Sequence, residues 1–213
     1  MADVLSVSPT RSTLLRLREE LKQLREGYEL LEHKREILLR ELMEMVRDAE
    51  HVEAEAWERF RAAYQALEES QVHMGLHRMA WISLARTAEV STQVTQRSVM
   101  GVGVPIVHVE VTPVAVPYSP GDTSVLVDEA RTRWLEVLDI LGQLAETVTT
   151  VWRLAAELKK TQRRVNALDH VLIPQYEATD HYITTVLEEQ EREAFVQAKK
   201  VKAMRESREE GHD

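Results

Sequence analysis

The sequence contains no cysteine, which removes disulfide frameworks and thiolate metal sites from consideration. Aromatic residues make up only 5% of its 213 positions, with just two Phe. A compact ball of this length would have little aromatic area to bury. Seven Gly and six Pro are few, and four of the prolines (Pro105, Pro113, Pro117 and Pro120) fall in one short stretch. Most of the chain is therefore free of helix-interrupting residues. No apolar run approaches the ~20 residues that a membrane span needs. The N-terminal MADVLSVSPTR has neither the basic start nor the apolar core of a secretory signal. Basic stripes are missing too, apart from KKVKAMRESR near the C-terminus, which argues against a nucleic-acid partner.

What remains is charge and leucine. Charged residues are 30% of the chain and the net charge is −9, with both signs mixed along the sequence. That balance favours long helices with thin apolar seams over a thick core. A soluble, cytoplasmic, mainly α protein is the expectation.

Ser8 before Pro9 suits a helix N-cap followed by proline at the first helical position. From there the apolar positions fall into heptads. One row is Leu14, Leu21, Tyr28, Arg35, Leu42, Ala49, Ala56 and Ala63; the other is Leu17, Leu24, Leu31, Leu38, Met45 and Val52. Repeats of this length predict a coiled coil, with Arg35 as a charged interruption. After Val52 the frame shifts, so that Arg59 enters the seam and Ala56, Phe60, Ala63, Tyr64 and Leu67 carry the stripe instead. The pattern weakens at Gly75, and WISLARTAEV (81–90) reads as a short separate helix.

Residues 98–121 differ in kind, with four prolines, three glycines and the alternating run Ile106-Val107-His108-Val109-Glu110-Val111. Period-two, β-branched chemistry predicts a small hairpin. Asp122 or Ser124 can then cap a second long helix. Its rows are Val137, Leu144, Val151, Leu158, Val165 and Leu172, and Ile140, Thr147, Leu154, Thr161 and Leu168.

Neither helix can hide its seam alone, and each gains stability by burying it against a partner. The predicted fold is a long antiparallel two-helix coiled coil with a short helix and a small β-hairpin insert. Residues 1–72 and 122–213 form the coiled coil together, and 73–121 form the insert at one end. Aligning the ends places Leu14 near Met204 and Leu67 near Leu144.

Four places invite a chemical reading. Asp169-His170 and Asp180-His181 stand eleven residues apart, about 16 Å along a helix, too far to share an ion whose ligand bonds are near 2 Å. Glu177 and His181 have two-ligand spacing, as do His73 and His77, but neither pair has an evident third ligand. A solvated helix face is the expected setting for all of them. Gly101-Val102-Gly103 lacks the third glycine of a dinucleotide loop, and there is no phosphate cradle of its own and no nucleophile elbow. No catalytic, cofactor-binding or metal-binding residue is expected. The cations Lys199, Lys200, Lys202, Arg205 and Arg208 suit either an acidic partner or a solvated helix end.

The block Arg163-Arg164-Val165-Asn166-Ala167-Leu168-Asp169 with Ile173-Pro174 resembles the signature of the D subunit of the V-type and A-type rotary ATPases. The acidic-then-basic run from Glu188 to Lys202, the start at Pro9-Thr10-Arg11, and Met100-Gly101-Val102 are similar to the same family. Asp169 stands where that family usually has glutamate, and Gln175 where a basic residue is common. The resemblance implies a non-catalytic rotor component of the central stalk, without a cofactor. Its partners would be the small F subunit, the hexamer of A and B subunits, and the C subunit (d in eukaryotes) on the membrane ring. Family-signature residues would be Arg163, Arg164, Asn166 and Pro174, with Arg11, Lys199, Lys200, Lys202 and Arg205 facing the hexamer. The chain would lie peripherally on the inner face of the membrane. A shaft that turns in a bearing would also need a polar outer face, free of large apolar patches. Competing readings are a coiled-coil adaptor and the stalk protein of an export ATPase.

Overall fold

The computed structural model describes residues 4–85, 88–115, 118, 119, 121 and 123–209, with side chains as far as 204. In order these are α1 (Arg11–Met74), α2 (Leu76–Ile82), β1 (Ala88–Val99), β2 (Val102–Pro113), α3 (Val125–Ala167), a π turn (Leu168–Leu172) and α4 (Ile173–Glu209). The protein is mainly α with one two-stranded antiparallel sheet. It divides into two compact units, residues 1–35 with 160–213 and residues 36–159.

In the first unit, α1 begins two residues later than Ser8 and Pro9 suggest. The Thr10 hydroxyl accepts from the Thr13 backbone N–H at 3.1 Å, so Thr10 is the cap. Side-chain capping at that distance satisfies one of the first-turn donors. The segment before α1 is pinned by Leu5, whose N–H donates to Thr179 Oγ1 at 3.0 Å. The helices run antiparallel, as their cross-links show: Arg11 to Glu191, Arg18 to Asp180, Arg25 to Glu177 and Arg35 to Gln162. This register differs from the end-to-end alignment expected from sequence. Leu14 lies between Arg11 and Arg18, whose partners are Glu191 and Asp180, well short of Met204. Heptads specify a period and leave the offset free.

In the second unit, α1 buries small residues, Ala56, Ala63, Ala66 and Ser70, while α3 buries Val127, Ala130, Val137 and Ile140. Small side chains suit close helix approach. Arg59, the charged intruder in the heptads, bonds the Glu136 carbonyl at 3.1 Å and pairs with Glu55 at 2.5 Å. Trp134 on α3 meets Phe60 and Tyr64 of α1 edge-on, with ring centroids 6.1 and 5.1 Å apart. Ser124 caps α3 by accepting from the Leu126 N–H at 3.3 Å; the alternative, Asp122, lies outside the described residues.

The short helix occupies Leu76–Ile82 and the first strand already starts at Ala88. Both differ from the reading of 81–90 as helix and of 98–121 as the β region. The hairpin closes through Met100 (φ 50) and Gly101 (φ 81), two central residues of positive φ, as a tight two-residue turn matching strand twist requires. Its inner strand, β2, lies along α3. Gly142 of α3 is buried there because a Cβ would stand 2.5 Å from Val109 Cγ2. Glu146 accepts from the Val107 N–H at 2.8 Å, and Arg153 donates to the Gly103 carbonyl at 2.6 Å. Those two side chains satisfy ladder groups that a bare edge would leave to solvent.

Candidate functional site

The sequence-derived residues fall into three sets. Of the seam, Leu17, Leu21, Leu38 and Val165 are buried, while Leu14, Leu24, Leu31, Leu42, Val151, Leu158 and Leu168 are half-buried. Leu172 is exposed, against expectation. It closes the π turn, whose extra residue breaks the helical phase that the heptad count assumes.

The Asp-His stretch is largely a solvated face, with Asp169, His170, Glu177 and His181 exposed and Asp180 half-buried. Asp180 receives the Arg18 guanidinium at 2.8 Å and Glu177 receives Arg25 at 2.6 Å, so both carboxylates flank the seam. The hydrogen bond and charge of Asp180 raise the Arg18 pKa further above its ordinary value. His170 and His181 are exposed, and His170 lies 3.4 Å from its neighbour Asp169. Among the described residues no three His, Asp or Glu side chains are placed to hold a metal. Tyr176 in the same stretch has a raised phenol pKa, from burial and then from the nearby Glu20 carboxylate.

Of the signature residues, Arg163 and Arg164 are exposed. Asn166 accepts from Gln162 Nε2 at 2.7 Å, and Gln162 in turn accepts from Arg35 at 2.9 Å. Pro174 is the second residue of α4. Proline has no N–H and its ring clashes with a carbonyl four residues back in α geometry. The π turn before it, in which the Ile173 N–H reaches the Leu168 carbonyl, accommodates that conflict.

Arg11 is engaged by Glu191 at 2.5 Å. Lys199, Lys200 and Lys202 are exposed on α4, and the Arg205 side chain lies outside the described residues.

Sequence reasoning missed the exposed apolar surface. Trp57, Phe60 and Tyr64 of α1 line a groove with Leu144 and Val148 of α3, and Trp57 is 64% exposed. Trp152 is also open to solvent. A second group, Val72, Leu76, Trp81 and Leu84, is exposed at and after the end of α1. The exterior is thus less uniformly polar than a turning shaft suggests. Phe60 and Tyr64 lie on the frame-shifted stripe and meet Trp134, so the available signal was Trp57, a large aromatic off the apolar rows. No helix among the described residues is long and apolar enough to cross a membrane.

The family model for the ATP synthase D subunit matches residues 13–203. The A-type ATP synthase D subunit of Methanopyrus kandleri is 39% identical over 92% of this chain and 85% of its own length. The corresponding A-type protein of Thermococcus kodakarensis is 37% identical over 98% and 99%. The V-type ATP synthase D subunit of Thermotoga neapolitana is 33% identical over 93% and 98%. With the hairpin, the signature block and nearly all of the long helices inside the matched span, this chain belongs to the family of ATP synthase D subunits.

Proposed function

We propose that this D subunit is the rotor axle of an A/V-type proton- or sodium-translocating ATP synthase. It would couple catalysis in the A/B hexamer to rotation of the membrane ring. The observation that carries the reading is the lateral bonding of two antiparallel helices, with apolar residues inside and Arg18–Asp180 and Arg25–Glu177 pairs on the flanks. A shaft needs such cross-links, because an isolated helix transmits torque poorly and a buried seam binds its partner cooperatively. Residues 1–72 with 122–213 act as the shaft and 73–121 as the insert.

The chain itself is non-catalytic in this reading, and ATP is turned over where A meets B. Arg11, Lys199, Lys200, Lys202 and Arg205 face the hexamer. The small F subunit docks at the middle of the paired helices and the β insert, a placement supported by the exposed Trp57 and Tyr64. The C subunit takes the part of the chain bearing Leu76, Trp81 and Leu84, and the assembly is peripheral on the inner membrane face. Tagged chain should recover an F-like partner and the A/B subunits from its own cells, and should show no ATPase turnover alone. A stable lone dimer with no affinity for either would favour the coiled-coil adaptor. Single cysteines introduced at Trp57, Leu76 and Lys200 should crosslink to F, C and the hexamer respectively.

A further inference from the structure

In the first unit the apolar seam is interrupted. α1 buries Leu17 and Leu21, then no further side chain through Arg35. Opposite, Val165 is buried and the next buried residue is Thr179. The intervening residues 166–178 span about 20 Å of helix. A seam of packed leucines resists twist and sliding, whereas a stretch held by side-chain hydrogen bonds at half-exposed positions does so weakly.

Three further observations coincide in this interval. The π turn lies within it, with no buried residue of its own, and is followed at once by Pro174. Gly27 of α1 has open space around its Cβ position. Beside the half-buried Leu24, Leu31 and Leu168 stands a polar chain: Glu32 to Arg35, Arg35 to Gln162, and Gln162 to Asn166. Glu32 Oε2 is buried in that chain with no hydrogen-bond partner. A half-satisfied buried network stabilises one arrangement less firmly than apolar packing does.

We propose that residues 22–35 and 166–178 form a torsionally soft joint, at which the two helices twist against one another around the π turn. Buried pairs bound it: Leu17 and Leu21 with Thr179 and Ile183 on one side, and Thr161 and Val165 on the other. A π turn holds one residue more than an α turn, so it can open or move along the helix without unwinding those flanks. Its use as compliance in a shaft rests on the axle reading; its softness is a property of the chain alone.

Amide hydrogen exchange on the full-length chain tests it. Peptides covering 164–178 should exchange roughly tenfold faster than those covering 150–161 and 179–187, as local opening without buried contacts implies. Deleting the exposed Val171 together with Pro174→Ala removes the extra residue and keeps α4 in phase with α3, so exchange in 164–178 should fall to the flanking rate. Pro174→Ala alone keeps the extra residue and the fast exchange. Uniform protection across 150–187 in the wild-type chain overturns the joint without any variant, as does fast exchange persisting in a folded deletion variant. A chain that assembles with A, B and F yet exchanges uniformly keeps the axle and loses the joint. One that shows the joint yet recovers no partner does the reverse.

Discussion

Alanine at two helical glycines should move stability in opposite directions. Gly27 and Gly142 both sit inside long helices, where glycine costs about 1 kcal/mol relative to alanine. Around Gly27 a new Cβ meets nothing within 4 Å. Gly27→Ala should therefore raise stability by about 1 kcal/mol, or roughly 2–4 °C in Tm for a chain of this size. At Gly142 the same methyl would stand 2.5 Å from Val109 Cγ2 and 3.3 Å from Val109 Cβ. The contact is with a β-branched residue held in a strand, which has few alternative rotamers. Overpacking of this kind costs ~1–3 kcal/mol, so the clash offsets the propensity gain and the hairpin must lift from α3.

Lifting would strain the Glu146 bond to the Val107 N–H and the Arg153 bond to the Gly103 carbonyl. The assay is a thermal melt of each variant with hydrogen exchange of 102–113. Gly142→Ala should melt below wild type and deprotect β2. Adding Val109→Ala, which removes the nearer clashing carbon, should restore both. A Gly142→Ala protein as stable as Gly27→Ala, with β2 exchange unchanged, would refute the packing of hairpin on α3.

Leu38 is fully buried, so Leu38→Ala should cost ~2–5 kcal/mol in chemical denaturation, while Leu172→Ala at the exposed end of the π turn should cost below about 1 kcal/mol. The Tyr118 phenol is pushed up to about 12, by burial first and then by its bond to Asp128. Because the folded-state pKa is raised, that contribution is intact below pH ~10, the ordinary tyrosine value, and is lost as pH rises towards 12. Tyr118→Phe should abolish the late tyrosinate absorbance step and this alkaline loss of Tm. Arg18→Glu places like charges at Asp180 and should lower the melting temperature; Arg18→Glu with Asp180→Arg should recover it, and about 1 M salt should shrink the difference.

Much of the architecture was legible because helix burial is periodic. Leu17, Leu21 and Leu38 stand in the rows that heptad counting selects, and all three are buried. The strand β1 was not legible, since AEVSTQVTQRSV exposes nearly every residue between its ends. Alternation arises only when one face is buried, so an edge strand open on both faces leaves only weak sequence evidence. A related ambiguity hid the true start of α1: Thr10 and Ser8 are both acceptable caps by type, and the choice depends on which hydroxyl reaches an N–H. The exposed groove at Trp57 was visible only as one aromatic out of phase, and Tyr64, in phase with the shifted stripe, is half-open to solvent all the same.

The offset between the helices shows where sequence pattern stops and chemistry begins. A heptad seam is nearly degenerate under a slip of seven residues, because leucine again faces leucine. The polar partners are not degenerate. Arg18 and Arg25 are seven apart on α1, but their acceptors Asp180 and Glu177 are only three apart on α4. A one-heptad slip in either direction moves Arg18 from Asp180 to Ile173 or Leu187, and Arg25 from Glu177 to His170 or Thr184, none of which is a carboxylate. Exposed ion pairs add little stability individually, yet a slip forfeits several at once and leaves Arg35 without its amide partner in the seam. Thus residues that look like candidates for acid–base chemistry, Glu177 and Asp180, instead discriminate among registers. The apolar rows determine that two helices pair, and the weak polar contacts determine how.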